Sequence, residues 1–465
     1  MRHGEAETLR HRCADLAGSR RHLYGRHGSV ALGALAAGGS AFGGRLEEFC
    51  GRSVLLVVRE QLNAAVVLIE LDGVARRMVI CPPDVPLDHM RAIAVTADVD
   101  AIVYDEGTPD RQAFGVSLQA TCDVASVAAH SAGVREFRQT EWVLLTSGTT
   151  GVPKLVCHTL ASLIAPIKPV AEPPIWGTFY DIRRYGGMQI FLRALVGGGS
   201  LILSSAGEPV AEPVAEHLGR LAAHGATHVS GTPSHWWRVL MGSEAGIMAP
   251  RYVRLSGEIA NQAVLDGLRA AYPEAGVGHA FASTEAGVGF EVNDALEGFP
   301  ADFLGIGKGD VDIAVEDGVL RLRSSRTASE YIGAGAAPLR DADDFVDTGD
   351  LVELRGARYH FVGRKDGVIN VGGLKVHPEE IEATINRHAG VSGSLVKSRK
   401  SPITGAIVVA DVVLKADGAP DARPALEREI IALCRRDLAA YKVPAMIRFV
   451  STLPMTAAGK LQRHA

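Results

Sequence analysis

The chain has 465 residues, of which 47% are hydrophobic, enough to bury the cores of two or three domains. Its formal net charge of −5 argues against a nucleic-acid partner. No apolar stretch reaches the ~18 residues that a membrane span requires, and residues 2–27, rich in Arg and His, lack the apolar region of a signal peptide. The six cysteines are scattered without a CxxC pair. They favour free thiols, no zinc site and a cytoplasmic protein without a membrane partner.

Short β-rich runs alternate with helical stretches in the first part of the chain. An amphipathic helix is predicted from Pro213 to His224, with proline in its first turn. This alternation predicts an α/β fold with a mostly parallel sheet covered by helices. The predicted strands are Ser53 to Val58, Ala65 to Ile69, Met78 to Cys81, Ala101 to Tyr104, Glu141 to Leu145, Leu201 to Ser204 and Thr227 to Ser230.

The pattern changes to hairpins after Asp310. An Asp-Gly turn joins two alternating strands between Asp310 and Arg323, and a second hairpin runs from Asp350 to Val362 with Arg355-Gly356 at its turn. After Gly363 the pattern resets, which predicts a large N-terminal domain (1–363) of βα-layered sheets plus a β subdomain, and a small α+β C-terminal domain (364–465). The small domain should contain helices from Pro378 to His388 and from Ala425 to Leu438, and strands from Leu395 to Ser398 and from Ala406 to Leu414.

The segment from Leu144 to Thr159 carries the strongest chemical signal. Its glycines allow backbone N–H groups to approach an anion, while its hydroxyls and one lysine add donors and charge, so it reads as a phosphate cradle. It does not fit the Walker pattern, which needs GK[ST] after a longer gap. A flexible surface loop of small polar residues is the alternative. The residues that would form the cradle are Thr146, Ser147, Gly148, Thr149, Thr150, Gly151 and Lys154.

Two further segments pair an aromatic or hydroxyl residue with a carboxylate. In Gly278 to Gly287, Phe281 can stack on a base, Thr284 can bond a phosphate oxygen and Glu285 can hold Mg²⁺. A helix N-cap would give the same residues. In VDTGDLVEL, Asp350 can accept from both ribose hydroxyls, or it can close an Asx turn.

Two basic segments follow. GRKDGVINVGGLKVHPEEIE combines glycines with Arg364, Lys365, Asp366 and Lys375, and a charged surface turn between domains would have the same composition. Near the end of the sequence, LPMTAAGKLQR places Lys460 on a loop that contains a glycine. A solvated tail lysine is the alternative there.

Together, in this order, the five segments resemble the adenylate-forming superfamily, from about Glu141 to Arg463. This resemblance implies that the chain activates a carboxylic acid with ATP and Mg²⁺ to an acyl-adenylate. The thiol of coenzyme A or of a carrier-protein pantetheine then displaces AMP.

The resemblance also implies a role for each residue. The cradle holds the β- and γ-phosphates, Phe281 contacts adenine, and Thr284 contacts the α-phosphate. Glu285 holds Mg²⁺, Asp350 contacts ribose, and Arg364 contacts ribose and phosphate. Gly372, Gly373 and Lys375 lie beside the pantetheine tunnel. Lys460 contacts the carboxylate and the α-phosphate.

Because the two half-reactions take place at the same carbonyl, part of the protein must move between them. Lys460 must cover the site during adenylation and leave before a thiol can enter. The resemblance therefore implies a mobile C-terminal domain that rotates about a hinge at Asp366.

The acid pocket is expected to contain Tyr180, Asp181, Trp236, Gly257 and Ala282. Asp181 matches the position that holds the substrate amine in amino-acid-activating relatives, or it bonds Arg183 or Arg184 instead. Trp236 and Trp237 could wall an apolar cleft for a bulky aryl or polycyclic acid, or they could belong to the core.

The chain also departs from the family pattern. Phe281 and Ala282 stand where tyrosine and glycine are usual, and Lys375 replaces an arginine. No carrier-protein motif is recognisable, so the thiol acceptor is expected to be a separate molecule. The main expectation is an acyl-CoA synthetase. The alternatives are an adenylation enzyme that loads a carrier protein, and a thioesterifying relative that accepts preformed acyl-adenylate.

Overall fold

The computed structural model describes residues 8–14, 20–106, 114–129, 138–146, 153–168, 170, 172–305, 310–371, 373–401, 405–415 and 423–455. Helices and strands are numbered in chain order. The α-helices of this part are α1 (Leu9–Ala14), α2 (Leu32–Ala36), α3 (Gln61–Leu71), α4 (Leu87–Thr96), α5 (Leu160–Ile164), α6 (Tyr185–Val196), α7 (Val214–Ala223), α8 (Pro233–Met241), α9 (Gln262–Ala271), α10 (Pro378–Ile385) and α11 (Arg423–Asp437). Short 3₁₀ helices span Gly43–Phe49, Val124–Ser126, Ser243–Ile247, Ala301–Phe303, Lys365–Gly367 and Ala440–Lys442.

The first large sheet is mainly parallel, with an antiparallel strand at each edge. Its parallel strands are joined through helices α6 to α9, as βα alternation requires. In spatial order its strands are β16 (Gly287–Val292), β15 (Gly276–Ser283), β14 (Tyr252–Ser256), β13 (His228–Gly231), β11 (Ile175–Thr178), β12 (Ser200–Ile202), β1 (His22–Tyr24) and β2 (Ser29–Ala31).

The second large sheet combines a parallel part with an antiparallel edge. The largest hydrophobic core joins side chains of both sheets to those of α3 and α6, which lie between them. In spatial order the strands are β20 (Glu330–Ile332), β10 (Lys154–Thr159), β9 (Glu141–Thr146), β5 (Arg77–Ile80), β4 (Ser53–Val57), β6 (Ala101–Tyr104) and β7 (Leu118–Thr121).

A third, antiparallel sheet forms the predicted β subdomain. Its first hairpin turns at Asp317 and Gly318, both with positive φ, as the Asp-Gly pair predicts. In spatial order its strands are β17 (Phe299–Pro300), β22 (Arg358–Arg364), β21 (Val346–Arg355), β19 (Val319–Ser324) and β18 (Val311–Glu316). A separate small pair joins β3 (Gly39–Ser40) to β8 (Ala128–Ala129).

The C-terminal part has a hydrophobic core of its own, formed by side chains between Ile369 and Phe449. Helices α10 and α11 pack with one sheet and a hairpin. The hairpin is β23 (Ile369–Val371) with β24 (Leu374–Val376), and the sheet holds β25 (Val391–Ser401), β26 (Gly405–Leu414) and β27 (Met446–Phe449). A contact to the large domain comes from the Ser392 hydroxyl, which donates to the Met241 sulfur at the end of α8.

One predicted strand is wrong. Residues Ala65 to Ile69 lie in α3, and every residue of that helix is buried. A helix that is covered on all sides needs no polar face, so its sequence reads as a continuous apolar run and resembles a buried strand. The α/β fold class itself is confirmed, with layered sheets in the large domain and a smaller α+β part.

All six cysteines have free thiols. Five of them are buried, and Cys50 is exposed. Among the described residues, no helix is long and apolar enough to cross a bilayer.

Candidate functional site

The phosphate cradle predicted from the sequence sits at the end of the β9–β10 hairpin. Thr146, the last residue of β9, is paired directly with Lys154, the first residue of β10. Antiparallel pairing therefore places a hydroxyl and an exposed ammonium group on either side of the connection. The rest of the cradle, Ser147, Gly148, Thr149, Thr150 and Gly151, lies outside the described residues.

Thr284 and Glu285 lie in the turn between β15 and β16, and not at the start of a helix. The backbone of this turn is held twice: the Thr284 carbonyl lies 2.7 Å from His158 Nε2, and the Glu285 carbonyl accepts from Ala328 N at 2.9 Å. Burial lowers the pKa of His158 to about 4. The ring is therefore neutral at pH 7, and its Nε2 carries the proton because a carbonyl can only accept.

Tyr331 links two of the predicted site residues. Its hydroxyl donates to Glu285 Oε1 at 3.3 Å, and the centroid of its ring lies 4.9 Å from Lys154 Nζ. Burial, and then the charge of Glu285, raise the pKa of Tyr331, so its hydroxyl stays protonated. Sequence reasoning missed this residue, because only the pairing of β20 with β10 brings it to the site.

The predicted ribose carboxylate, Asp350, is paired with Arg364. The two residues are register partners on β21 and β22, and both carboxylate oxygens lie 3.3 Å from Arg364 Nη1. Burial alone would lower the pKa of Arg364, but the charges of Asp350 and Asp366 raise it. Nearby Asp347 accepts from Gly349 N, as the carboxylate of an Asx turn does.

Phe281 stacks against two other phenylalanines. Its ring centroid lies 5.7 Å from that of Phe290 and 5.3 Å from that of Phe361 on β22. Register shifts between Phe281 and Ala282 where β15 pairs with β16, and irregularities of this kind are common beside functional sites. A planar base would meet an aromatic wall here, so the adenine contact remains a prediction with Phe361 as an additional member.

The predicted acid pocket is only partly assembled as expected. The Tyr180 hydroxyl donates to the carbonyl of Ser256 at 2.7 Å, which places this residue beside Gly257 at the carboxyl end of β14. Half-buried Ala282 lies near the end of the parallel strand β15. The carboxyl ends of parallel strands are where open α/β sheets bind ligands. Gly257 has φ = +86°, so a turn requires glycine at this position.

Two pocket predictions need correction. Asp181 forms a buried ion pair with Arg183 at 2.6 Å, and Arg183 also donates to the carbonyls of Val58 and Arg59. This carboxylate neutralises an internal arginine and is therefore not free to hold a substrate amine. Trp236 is fully buried in the core of the first sheet, packed against Phe179, so it does not wall an open cleft.

The C-terminal residues are described only in part. Gly373 forms the turn between β23 and β24 with φ = +87°, and its N–H donates to Asn370 Oδ1. Lys375 on β24 is exposed, and Asp366 lies in the 3₁₀ turn that follows β22. Gly372 and Lys460 lie outside the described residues.

The side chains at this site fit a magnesium nucleotide. Magnesium prefers oxygen ligands and is usually held by one or two carboxylates together with substrate phosphates. Half-buried Glu285 offers such a carboxylate, and exposed Lys154 offers a cation on the other side of the Tyr331 ring. Within the described part of the chain there is no group of three or more metal-ligating side chains.

Comparisons with known proteins agree with this geometry. The chain matches the AMP-binding enzyme family over residues 75–318 and the AMP-binding enzyme C-terminal domain over residues 380–460. A 2-succinylbenzoate–CoA ligase of Listeria monocytogenes is 26% identical over 381 residues, which cover 79% of this chain and 78% of the relative.

One further relative matches a short part of the chain, and one solved structure matches nearly all of it. A 3,4-dihydroxybenzoate–[aryl-carrier protein] ligase of Bacillus anthracis is 40% identical over 121 residues, or 26% of this chain and 27% of the relative. The crystal structure of an anthranilate CoA ligase in complex with anthranoyl-AMP superposes with a TM-score of 0.80 at 17% identity. It covers 98% of this chain and 95% of that one, so the fold is the same throughout.

The first family match alone spans more than half of the chain. The protein therefore belongs to the AMP-binding enzyme family, the adenylate-forming superfamily that its five motifs resemble. Membership confirms the predicted nucleotide cofactor.

Proposed function

We propose that the protein is an ATP-dependent acid–thiol ligase that forms an acyl-adenylate and transfers the acyl group to coenzyme A. The observation that carries this proposal is that Tyr331 brings Glu285 and Lys154 to one place. These two residues belong to separate sequence motifs, and the resemblance assigns both to the same triphosphate.

The chemistry requires positive charge where a carboxylate approaches a phosphate. Lys154 and Arg364 would supply cations, and the backbone N–H groups of the cradle would add hydrogen-bond donors. Magnesium held by Glu285 would neutralise phosphate charge when bound. Asp350 would accept hydrogen bonds from the ribose hydroxyls and orient the nucleotide beside its ion pair with Arg364.

We propose an aryl acid as the substrate class. The support is the relative that activates 2-succinylbenzoate and matches most of the chain. The burial of Trp236 removes one of the two tryptophans that favoured a large polycyclic acid. Coenzyme A is the proposed acceptor because the Listeria relative is a CoA ligase. A carrier-protein pantetheine is the alternative, because the Bacillus anthracis relative is a ligase for an aryl-carrier protein. We place the enzyme in the cytoplasm because its thiols are all free.

Pyrophosphate exchange tests the first half-reaction. The purified protein is incubated with ATP, Mg²⁺ and a panel of carboxylic acids, and acid-dependent exchange of labelled pyrophosphate into ATP is measured. We expect exchange with at least one aryl acid and none without acid. Absence of exchange across the panel, combined with thioester formation from synthetic acyl-adenylates, would instead identify a thioesterifying relative that does not adenylate.

The acceptor is tested next with the best acid of the panel. Mass spectrometry detects acyl-CoA in one reaction and acylated carrier protein in a parallel one. Formation of acyl-CoA supports the proposal, whereas acylation of the carrier protein alone would make the enzyme a carrier-loading adenylation enzyme.

A further inference from the structure

Tyr331 occupies a position that none of the five motifs includes. It lies on β20, the edge strand of the second large sheet, and is the register partner of Val156 on β10. Lys154 lies two residues before Val156, on the same face of β10, because side chains alternate along a strand. Lys154 is therefore a diagonal neighbour of Tyr331 across the strand pair, within reach of an aromatic ring.

The two contacts of Tyr331 are of opposite electrostatic kind. Its hydroxyl donates to the anionic Glu285 at 3.3 Å, while its ring faces the Lys154 ammonium at 4.9 Å. A phenol can make both contacts at once because its O–H is a donor and its ring face is electron-rich. Phenylalanine retains only the second contact, and leucine retains neither.

The backbone of the Glu285 turn does not depend on Tyr331. His158 holds the Thr284 carbonyl and Ala328 holds the Glu285 carbonyl, both by separate hydrogen bonds. Loss of the Tyr331 hydroxyl would therefore release the carboxylate while the turn stays in place. The substitution would therefore change the orientation of the Glu285 side chain and leave the fold unchanged.

We propose that Tyr331 is a positioning residue that fixes the Glu285 carboxylate and the Lys154 ammonium relative to each other. The magnesium ion and the terminal phosphates of ATP are thereby received in one arrangement. This inference rests on the proposed function. It adds a residue that touches neither metal nor phosphate and acts through the two groups that do.

The test uses Tyr331→Phe and Tyr331→Leu in the full chain. Tyr272→Phe serves as a matched control, because it also removes a phenol hydroxyl that is hydrogen-bonded, here to the Ala245 carbonyl in another part of the molecule. Calorimetry measures the binding of α,β-methylene-ATP, which cannot transfer its adenylyl group, over a series of Mg²⁺ concentrations and without Mg²⁺. Melting temperatures of the free proteins are measured in parallel.

For Tyr331→Phe we expect unchanged binding without Mg²⁺ and a melting temperature that falls no further than that of Tyr272→Phe. The Mg²⁺ concentration that gives the half-maximal gain in affinity for the analogue should rise about three- to tenfold, because one rotamer-rich side chain is freed. Tyr331→Leu should show the same rise and also bind the nucleotide more weakly without Mg²⁺, since Lys154 loses its ring. Tyr272→Phe should keep the Mg²⁺ dependence of the wild type.

Two outcomes would overturn the inference in distinguishable ways. If the wild type binds the analogue and Tyr331→Phe shows the same Mg²⁺ dependence, Tyr331 does not position Glu285, while the proposed function stands. If the wild type binds no α,β-methylene-ATP at any Mg²⁺ concentration, the proposed function fails and this inference fails with it.

Discussion

Two aspartates on the same strand have different partners in the structure. Asp347 and Asp350 are three positions apart on β21, yet Asp347 pairs with exposed Lys365 while Asp350 pairs with Arg364. Only Asp350 has the half-buried position from which a carboxylate can accept from ribose. This difference makes Asp347 a natural control for the nucleotide-binding role of Asp350.

Asp350→Asn should weaken ATP binding about ten- to a hundredfold, since hydrogen bonds to charged groups contribute ~1.5–3 kcal/mol. Asp347→Asn should change it less than twofold. Equilibrium binding of ATP to both variants provides the comparison. Equal losses would show that the ribose contact is made elsewhere.

The lysine near the end of the sequence is expected to act in one half-reaction only. Lys460→Ala should slow adenylation about a hundredfold or more, a loss typical of removing one group that stabilises developing charge. Thioester formation from a synthetic acyl-adenylate should be largely retained. Separate assays of the two half-reactions, with exposed Lys400→Ala as the control, measure the difference. An equal loss in both assays would remove the assigned role.

The acid pocket is better probed at Ala282 than at Gly257. Any side chain at Gly257 meets backbone strain at φ = +86°, which would hide an effect on the acid. Ala282→Leu adds volume at a half-buried position, and overpacking costs ~1–3 kcal/mol. KM for aryl acids should therefore rise about five- to a hundredfold, with KM for ATP unchanged. Exposed Ala222→Leu on α7 is the control, and a rise confined to ATP would contradict the pocket.

At the scale of elements, the sequence was informative where periodicity or turn chemistry is local. The Asp317-Gly318 hairpin and strand β9 follow from alternation and turn residues. Helix α3 was missed because full burial erases the polar face that would reveal a helix. The contacts of His158 and Tyr331 were missed for another reason. They join residues that are 126 and 46 positions apart, respectively, and no local pattern reports such contacts.

The turn after β22 is the element that should move. Asp366 lies in a 3₁₀ turn directly after Lys365, and proline disfavours a helical conformation of the residue before it. Asp366→Pro should therefore disfavour the domain arrangement seen here and change the two half-reactions unequally. Asp366→Ala removes the contact with Arg364 without restricting the backbone, so it should alter both rates by a similar, smaller factor. Unchanged rates in the proline variant would place the hinge elsewhere.

At the scale of the whole molecule, buried titratable groups link stability to pH. Burial lowers the pKa of His158 to about 4 and that of His235 to about 3. Both are near 6.5 in an unfolded chain, so between pH 6.5 and 4 the unfolded state binds protons that the folded state does not. Stability is therefore lost as the pH falls through this window. Burial raises the pKa of Asp72 to about 6, which opposes the trend between about pH 4 and 6.

The melting temperature should accordingly drop between pH 7 and 5, and His158→Gln should reduce that drop. Each histidine contributes a slope of at most about 1.4 kcal/mol per pH unit. Exposed His27→Gln should keep the slope of the wild type. Thermal denaturation at four pH values compares the three proteins, and identical slopes would mean that burial does not lower the pKa of His158.

The exposure of one cysteine out of six makes the protein suitable for labelling with a fluorescent dye. Since Cys50 is exposed and the other five cysteines are buried, a maleimide dye should attach once per native chain, on the large domain. Burial also raises the pKa of Cys13 and Cys434 to about 11, which suppresses their reactive thiolates at neutral pH. With a second dye introduced on α11, a donor and acceptor would span the proposed hinge. The rotation between half-reactions could then be followed in single molecules without first removing any native cysteine.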